Sequence, residues 1–180
     1  MSNFYITTPI YYVNDVGHVG HAYSTIACDI LARFNKLQGK NVFFLTGTDE
    51  HGQKVEKASK DANIKPQNFV DKMSQNFINL IPDLNCEIDD FIRTTEDRHK
   101  IAAQALWKKL FKNNQIYLSN YEGWYSIRDE AFYTENELIK NKENGSLIAP
   151  TGAPVEWVKE ESYFFKLSEW QDRLISFYKD

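Results

Sequence analysis

The stretch 7-TTPIYYVNDVGHVGHAYSTIACDI-30 decides the fold. It enters from a short β-rich segment, Phe4 to Thr8, that reads as a buried first strand and is broken by Pro9. Val13 to Gly20 is a loop carrying Asn14, Asp15 and two glycines. From about Ala22 to Leu37, the residues Tyr23, Ile26, Ala27, Ile30, Leu31, Phe34 and Leu37 recur at steps of three and four. That spacing predicts an amphipathic helix, closed by Gly39. Val42 to Thr46 (VFFLT) is then a continuous apolar run of strand length, the pattern of a central strand in a parallel sheet buried on both faces. Strand, helix, strand makes a βαβ unit with a right-handed crossover.

Working outward, two more helices are predicted, at about Gly52–Ala62 and Pro66–Leu80, and a short strand near Phe91–Thr94. Thr95 reads as the N-cap of a helix reaching about Asn113. After Ile116 the pattern changes: aromatic segments (IYLSNYEGWYSI, EAFYT, PVEWV, SYFFKL) alternate with turn formers at Asn144-Gly145 and Thr151-Gly152. They predict a small β-rich module over roughly 117–165, followed by a helix from Ser168 to Tyr178. No internal repeat or low-complexity tract is visible. The expected fold class is therefore α/β, with a parallel sheet over 1–116 and a β-rich insertion over 117–180.

The bulk numbers set limits. Of 180 residues, 42% are hydrophobic and 26% charged, an ordinary globular composition with enough chain for a core. No run approaches the roughly 20 apolar residues of a membrane span, and Met-Ser-Asn-Phe lacks a secretory profile. Two cysteines, Cys28 and Cys86, form no CxxC pair, so a disulfide framework is not expected and the default setting is reducing and cytoplasmic. A formal net charge of −4 gives no global basic footprint for DNA or RNA. The cluster Arg98, Lys100, Lys108, Lys109 and Lys112 reads as a solvated helix face.

The chemistry sits where loop becomes helix. A helix start presents unpaired N–H groups and the positive end of the macrodipole, so it attracts phosphate. His18 and His21 add donors there, and Gly20 leaves room for a base or sugar against the backbone. At the C-terminal end of a first βαβ strand, this is where α/β sheets bind nucleotides. The reaction it suits is attack on an α-phosphate with loss of pyrophosphate, which asks the protein mainly for alignment and charge stabilisation. Two histidines at this spacing are also half of a zinc site, which would need further ligands.

HVGH between strand and helix resembles the HIGH motif of class I aminoacyl-tRNA synthetases and related nucleotidylyltransferases. TTPIYYVN before it, FLTGTDEHGQKV one helix later, IRTTEDRH, YEGWYS with FYTENEL, and PVEWVKEESYFFKLSEW resemble the methionyl-tRNA synthetase family over essentially the whole chain. The resemblance implies the first half of a Rossmann-like nucleotide-binding fold (1–116) followed by an incomplete connective insertion (117–180). It implies L-methionine, ATP with Mg²⁺ and tRNA(Met) as substrates and partners, and no membrane. His18, Gly20 and His21 would hold ATP, the histidines at the phosphates and catalytic, Gly20 under the adenosine. Asn14 would brace the loop or touch phosphate; a loop-capping asparagine is the equal alternative. Asp49 would accept the methionine ammonium, and Ile10 and Tyr12 would line the methionine side of the pocket; taken without the family they read as core. His51 could assist near the phosphates, but reads first as a structural loop histidine.

Two departures stand out. Many family members carry a zinc knuckle on CxxC pairs; here Ser126 and Asp129 occupy the first pair and Ala149-Pro150-Thr151-Gly152 the second arm, so no metal is expected and aromatics would hold the module. Lys72-Met73-Ser74-Gln75 looks like the family's KMSKS loop but lies in a predicted helix, a chance likeness. The true loop and the anticodon-binding helices would lie beyond residue 180, leaving this segment inactive alone. A small HxGH nucleotidylyltransferase needs neither TGTDEHG nor the β insertion. A non-catalytic module for tRNA or partner contacts would lack the KMSKS loop altogether.

Overall fold

The computed structural model describes residues 2–141 and 145–179. It divides into two compact units, up to Ala103 and from Gln104 on. In the first, β1 (Asn3–Thr7) and the short β2 (Tyr11–Tyr12) pair in parallel with the same strand, β3 (Asn41–Asp49), and β4 (Asp90–Arg93) pairs in parallel with β3 as well. Between them run α1 (Val19–Leu37), α2 (Gln53–Asp61) and α3 (Pro66–Asp83). The predicted α/β order is therefore present, with α1 starting three residues earlier than the apolar period suggests. Gly47 is fixed by the strand pairing: a Cβ there would lie 2.0 Å from the Ile92 carbonyl oxygen of β4.

The sheet is covered on one face only. Successive crossovers that are right-handed and step in the same direction place their helices on the same side. Along β3 the even positions Phe44, Thr46 and Thr48 are buried, as is Tyr11, the register partner of Thr48. Tyr11 joins Val13, Val55, Phe69, Val70 and Phe77 in the core between sheet and helices. On the odd positions Phe43 is 45% exposed, and its neighbour Tyr5, 6.0 Å away ring to ring, is 62% exposed. The expectation that VFFLT is buried on both faces is thus corrected: one face is bare in this chain.

α1 departs from its predicted stripe. Its buried residues are Thr25, Asp29, Ala32 and Asn35, while Tyr23, Ile30, Phe34 and Leu37 are all more than half exposed. The buried polar row is satisfied. Thr25 meets the Tyr11 hydroxyl at 3.0 Å. The Asp29 carboxylate accepts from Arg33 at 2.7 Å and from the Glu87 N–H at 2.8 Å. The Asn35 amide donates to the Leu31 carbonyl, and its oxygen accepts from Lys40. Hydrogen bonding, not apolar period, decides which face packs on the sheet.

α4 (Asp97–Lys112) follows. Thr95 does not cap it; the Thr95 hydroxyl donates to the Glu50 carboxylate. Arg98 is tied to Asp90, Glu96 and the Phe91 carbonyl rather than presented to solvent as a free charge. In the second unit the long β5 (Ile116–Ser126) pairs antiparallel with β6 (Ala131–Tyr133) and β9 (Glu156–Phe165), and β7 (Ile139–Lys140) pairs with β8 (Leu147–Ile148). β5 starts at Ile116, while the compact unit that holds it starts at Gln104, within α4. The predicted last helix is a 3₁₀ turn over Leu167–Trp170 and then α5 (Gln171–Phe177). Of the turn expected at Asn144-Gly145, Asn144 lies outside the described residues, and Gly145 has φ 73°.

Candidate functional site

His18 is the N-cap of α1, and the cap is built from two imidazoles. His18 Nδ1 accepts the Gly20 N–H at 3.1 Å, and His21 Nδ1 accepts the His18 N–H at 3.0 Å. This reciprocal pairing is a capping box, a motif usually made by Ser or Thr with Glu. In each ring Nδ1 is the acceptor, which leaves Nε2 as the nitrogen that carries the ring proton. Neither Nε2 has a partner among the described residues. The rings lie 3.9 Å apart. Burial, and then the neighbouring His18, hold the His21 imidazole below its ordinary pKa. The first turn of α1 holds no acidic residue, which leaves the positive end of the helix dipole uncompensated there.

Gly20 has a role that the sequence did not show. A Cβ on it would sit 2.9 Å from His18 Cε1 and 3.1 Å from Nδ1, so a side chain here would displace the capping ring. His21 is wedged in turn: its ring lies edge-on to Tyr11 at 4.7 Å and to Phe77 at 5.2 Å. Tyr11 and Phe77 are positioning residues that motif reading missed. Tyr11 lay inside the quoted stretch, and its alternation with exposed Tyr12 was the available signal. Asn14 is exposed in the turn after β2, with no hydrogen bond among the described residues.

The second group gathers at the C-terminal ends of β2 and β3. Tyr12 and Asp49 are register partners, so they stand side by side on the face opposite Tyr11 and Thr48. Ile10 and Tyr12 are 41% and 45% exposed, not core, and the Lys54 ammonium lies 5.5 Å over the Tyr12 ring. Asp49 is half-buried, and its carboxylate has no partner among the described residues. The structure thus assembles one group at the α1 start and one at the sheet end, with Tyr11, between Ile10 and Tyr12 in sequence, reaching the first. His51 is a loop histidine whose Nε2 meets the Thr94 carbonyl at 3.2 Å.

Beside Asp49, Glu50 is treated in the opposite way. It is 3% exposed, and its carboxylate accepts two bonds from Arg93 at 2.7 and 3.0 Å, one from Thr48 at 2.7 Å and one from Thr95. Arg93 continues to Asp71 on α3 at 2.6 Å, and these carboxylates raise its pKa. Lys72-Met73-Ser74-Gln75 is plain α3: Ser74 is buried with its hydroxyl on the Asp71 carbonyl.

At the knuckle position of the second unit, Asp129 is a hydrogen-bond hub. It accepts from Tyr133 at 3.0 Å, from Arg128 at 3.1 Å and from Thr151, while its N–H donates to the Ser126 hydroxyl at 3.3 Å. These bonds draw its pKa down, the one from Thr151 most. Among the described residues no three His, Cys, Asp or Glu side chains cluster as a metal site would require.

Comparison with known proteins gives a family. The family profile described as tRNA synthetases class I (M) matches residues 4–180. The chain is similar to the methionine–tRNA ligase of Rickettsia prowazekii, 62% identical over 99% of this chain and 34% of that protein. The methionine–tRNA ligase of Rhizobium meliloti is 51% identical over the same shares. Among solved structures, a Mycobacterium tuberculosis methionyl-tRNA synthetase in complex with methionyl-adenylate superposes with a TM-score of 0.90 at 43% identity, over 99% of this chain and 35% of that one. The chain spans about a third of the length of the curated relatives it matches.

Proposed function

The chain belongs to the class I tRNA synthetases of the M group, and we propose that it is the N-terminal part of an ATP-dependent methionine–tRNA ligase. The observation that carries this reading is the imidazole capping box, which leaves two Nε2–H donors at the start of α1. ATP lays its phosphates there, on His18 and His21, with Gly20 under the adenosine and Asn14 free to reach phosphate; magnesium enters with the nucleotide. Methionine places its ammonium on Asp49 and its thioether against Ile10 and Tyr12, where sulfur–aromatic contact suits it. A carboxylate oxygen of methionine attacks the α-phosphorus, the bond to the β-phosphate oxygen breaks, and pyrophosphate leaves. Charge that builds on the phosphate oxygens is met by donors already in place. A hydroxyl of tRNA(Met) then takes the acyl group and AMP departs.

Residues 1–116 then form the first half of the catalytic domain and 117–180 part of the connective insertion, held without zinc by its aromatics and the Asp129 hub. The work is cytoplasmic; no helix among the described residues is long and apolar enough to cross a membrane. A small nucleotidylyltransferase is set aside, because the family match runs through the β module. The bare sheet face with Tyr5 and Phe43, and the outer row of α1, are surfaces for the remaining two thirds of the protein.

Methionine-dependent ATP–pyrophosphate exchange tests the reading. The intact protein should exchange with methionine and not without it; no exchange overturns the proposal. Residues 1–180 alone should run more than tenfold slower than the intact protein, since Asp49 and Tyr12 face solvent there and a wet, half-formed site forfeits positioning.

A further inference from the structure

Asp49 and Glu50 are adjacent carboxylates with opposite surroundings. Asp49 is half-buried and unpaired among the described residues; Glu50 is 3% exposed and accepts four hydrogen bonds. A carboxylate withdrawn from water this completely is tolerated only when its lone pairs are matched, here by a bidentate guanidinium and two hydroxyls. The partners come from separate places: Thr48 from β3, and Arg93 and Thr95 from the end of β4. The Glu50 N–H also donates to the Thr94 hydroxyl at 2.8 Å, so backbone and side chain of one residue are gripped together.

Strand geometry gives the grip a direction. The bond between Thr48 and Glu50 spans two residues, so both side chains lie on one face of the β3 end. Arg93, the register partner of Thr48, belongs to that face too. Asp49 between them must point to the other face, alongside Tyr12. The Arg93 guanidinium is held by Glu50 and Asp71, and is therefore kept from Asp49. We infer that Glu50 is a positioning residue: clamped by Arg93, Thr48 and Thr95, it turns Asp49 to the open face as an unpaired acceptor for the amine of the amino-acid substrate. This rests on the reading of Asp49 proposed above.

The role predicts amine discrimination rather than general affinity. In the intact protein, affinity is measured by calorimetry for methionine and for its analogue lacking the α-amino group, 4-(methylthio)butanoate. Glu50→Gln keeps the shape but sets an amide donor against Arg93, and should shrink the preference for methionine over the analogue at least tenfold. KM for ATP should stay within twofold. Thr95→Val removes one bond to Glu50 and should shrink the preference about threefold, and it carries the test if Glu50→Gln does not fold. A merely structural role would weaken both ligands alike. That outcome, or an unchanged ratio in the folded variants, overturns the inference. Asp49→Asn separates the two readings. If it abolishes the preference while the Glu50 and Thr95 variants keep it, the positioning role alone falls. If it leaves the preference intact, the reading of Asp49 falls and takes this one with it.

Discussion

In the α/β unit the interior is rich in polar groups: Glu50, Asp29, Asn35, Thr46, Thr48, Ser59 and Ser74 are all buried. From residue 104 on, the buried side chains among those described are Ile116, Ala149, Ala153 and one hydroxyl, Ser126. The β module instead lays rings along its strands: Trp124 edge-on to Trp157 at 5.5 Å, Tyr121 against Phe132 at 4.2 Å, Tyr117 stacked on Phe164 at 5.7 Å. The first arrangement is exact and brittle, since each buried charge depends on a named partner. The second spreads its stability over many contacts that tolerate exchange. A site that must orient ionic groups to within fractions of an ångström belongs on the first kind of scaffold.

The contrast is broken most directly at Arg93. Arg93→Met should leave the Glu50 carboxylate buried without its counter-ion, at a cost of about 3–5 kcal/mol. Hydrogen exchange of the β3 and β4 amides should rise accordingly, with β5 and β9 unchanged. Equal loosening of the module would mean that the polar interior is not local. Next in size, His18→Ala and His21→Ala in the intact protein should each lower methionine-dependent pyrophosphate exchange by the equivalent of about 2–4 kcal/mol, more than the roughly 1 kcal/mol of stability that loss of the cap itself costs. Wild-type rates in both would remove the capping box from the chemistry.

The module offers a smaller number. A double-mutant cycle between Trp124→Ala and Trp157→Ala, read from exchange of β5 amides, should return a coupling of about 0.5–1.5 kcal/mol. A value as large as that at Arg93 would erase the distinction drawn above. The smallest effect is on pH. The His21 pKa lies below its ordinary 6.5 in the folded chain, so as pH falls through 6.5 the unfolded chain takes up a proton first. Stability present above that pH is lost as pH falls towards the folded value, and protonation removes the Nδ1 acceptor of the cap. His21→Gln should flatten this part of the melting profile; an unchanged slope would locate the titration elsewhere.

Much of this was legible in sequence because it is local. Strand, loop, HVGH and helix follow one another within one stretch of chain, and period and punctuation suffice to order them. The place of Asp49 at the end of a strand could be read because it sits in a contiguous motif. The Glu50–Arg93 pair could not, because its members are 43 residues apart and each looks like an ordinary surface charge. The α1 stripe misled for a related reason. Apolar period marks a face that something covers, but Thr25, Asp29 and Asn35 were claimed by Tyr11, the Glu87 N–H and Lys40, partners that lie outside the helix. The closeness of Gly20 to the His18 ring was not legible either, because it depends on how the ring folds back over the helix start.

The one-sided sheet has a consequence for how such a protein is made. In a chain built as the relatives are, the α/β unit leaves the ribosome first, with Tyr5, Phe43 and the open edge of β1 bare. About twice the length of this segment has still to be synthesised, which at roughly 5–20 residues per second occupies on the order of tens of seconds. Throughout that interval an unpaired strand edge beside exposed aromatic rings is available to any other nascent chain. Neighbouring nascent chains on a shared messenger meet with that edge still bare, so a chaperone that shields the β1 edge would act during translation.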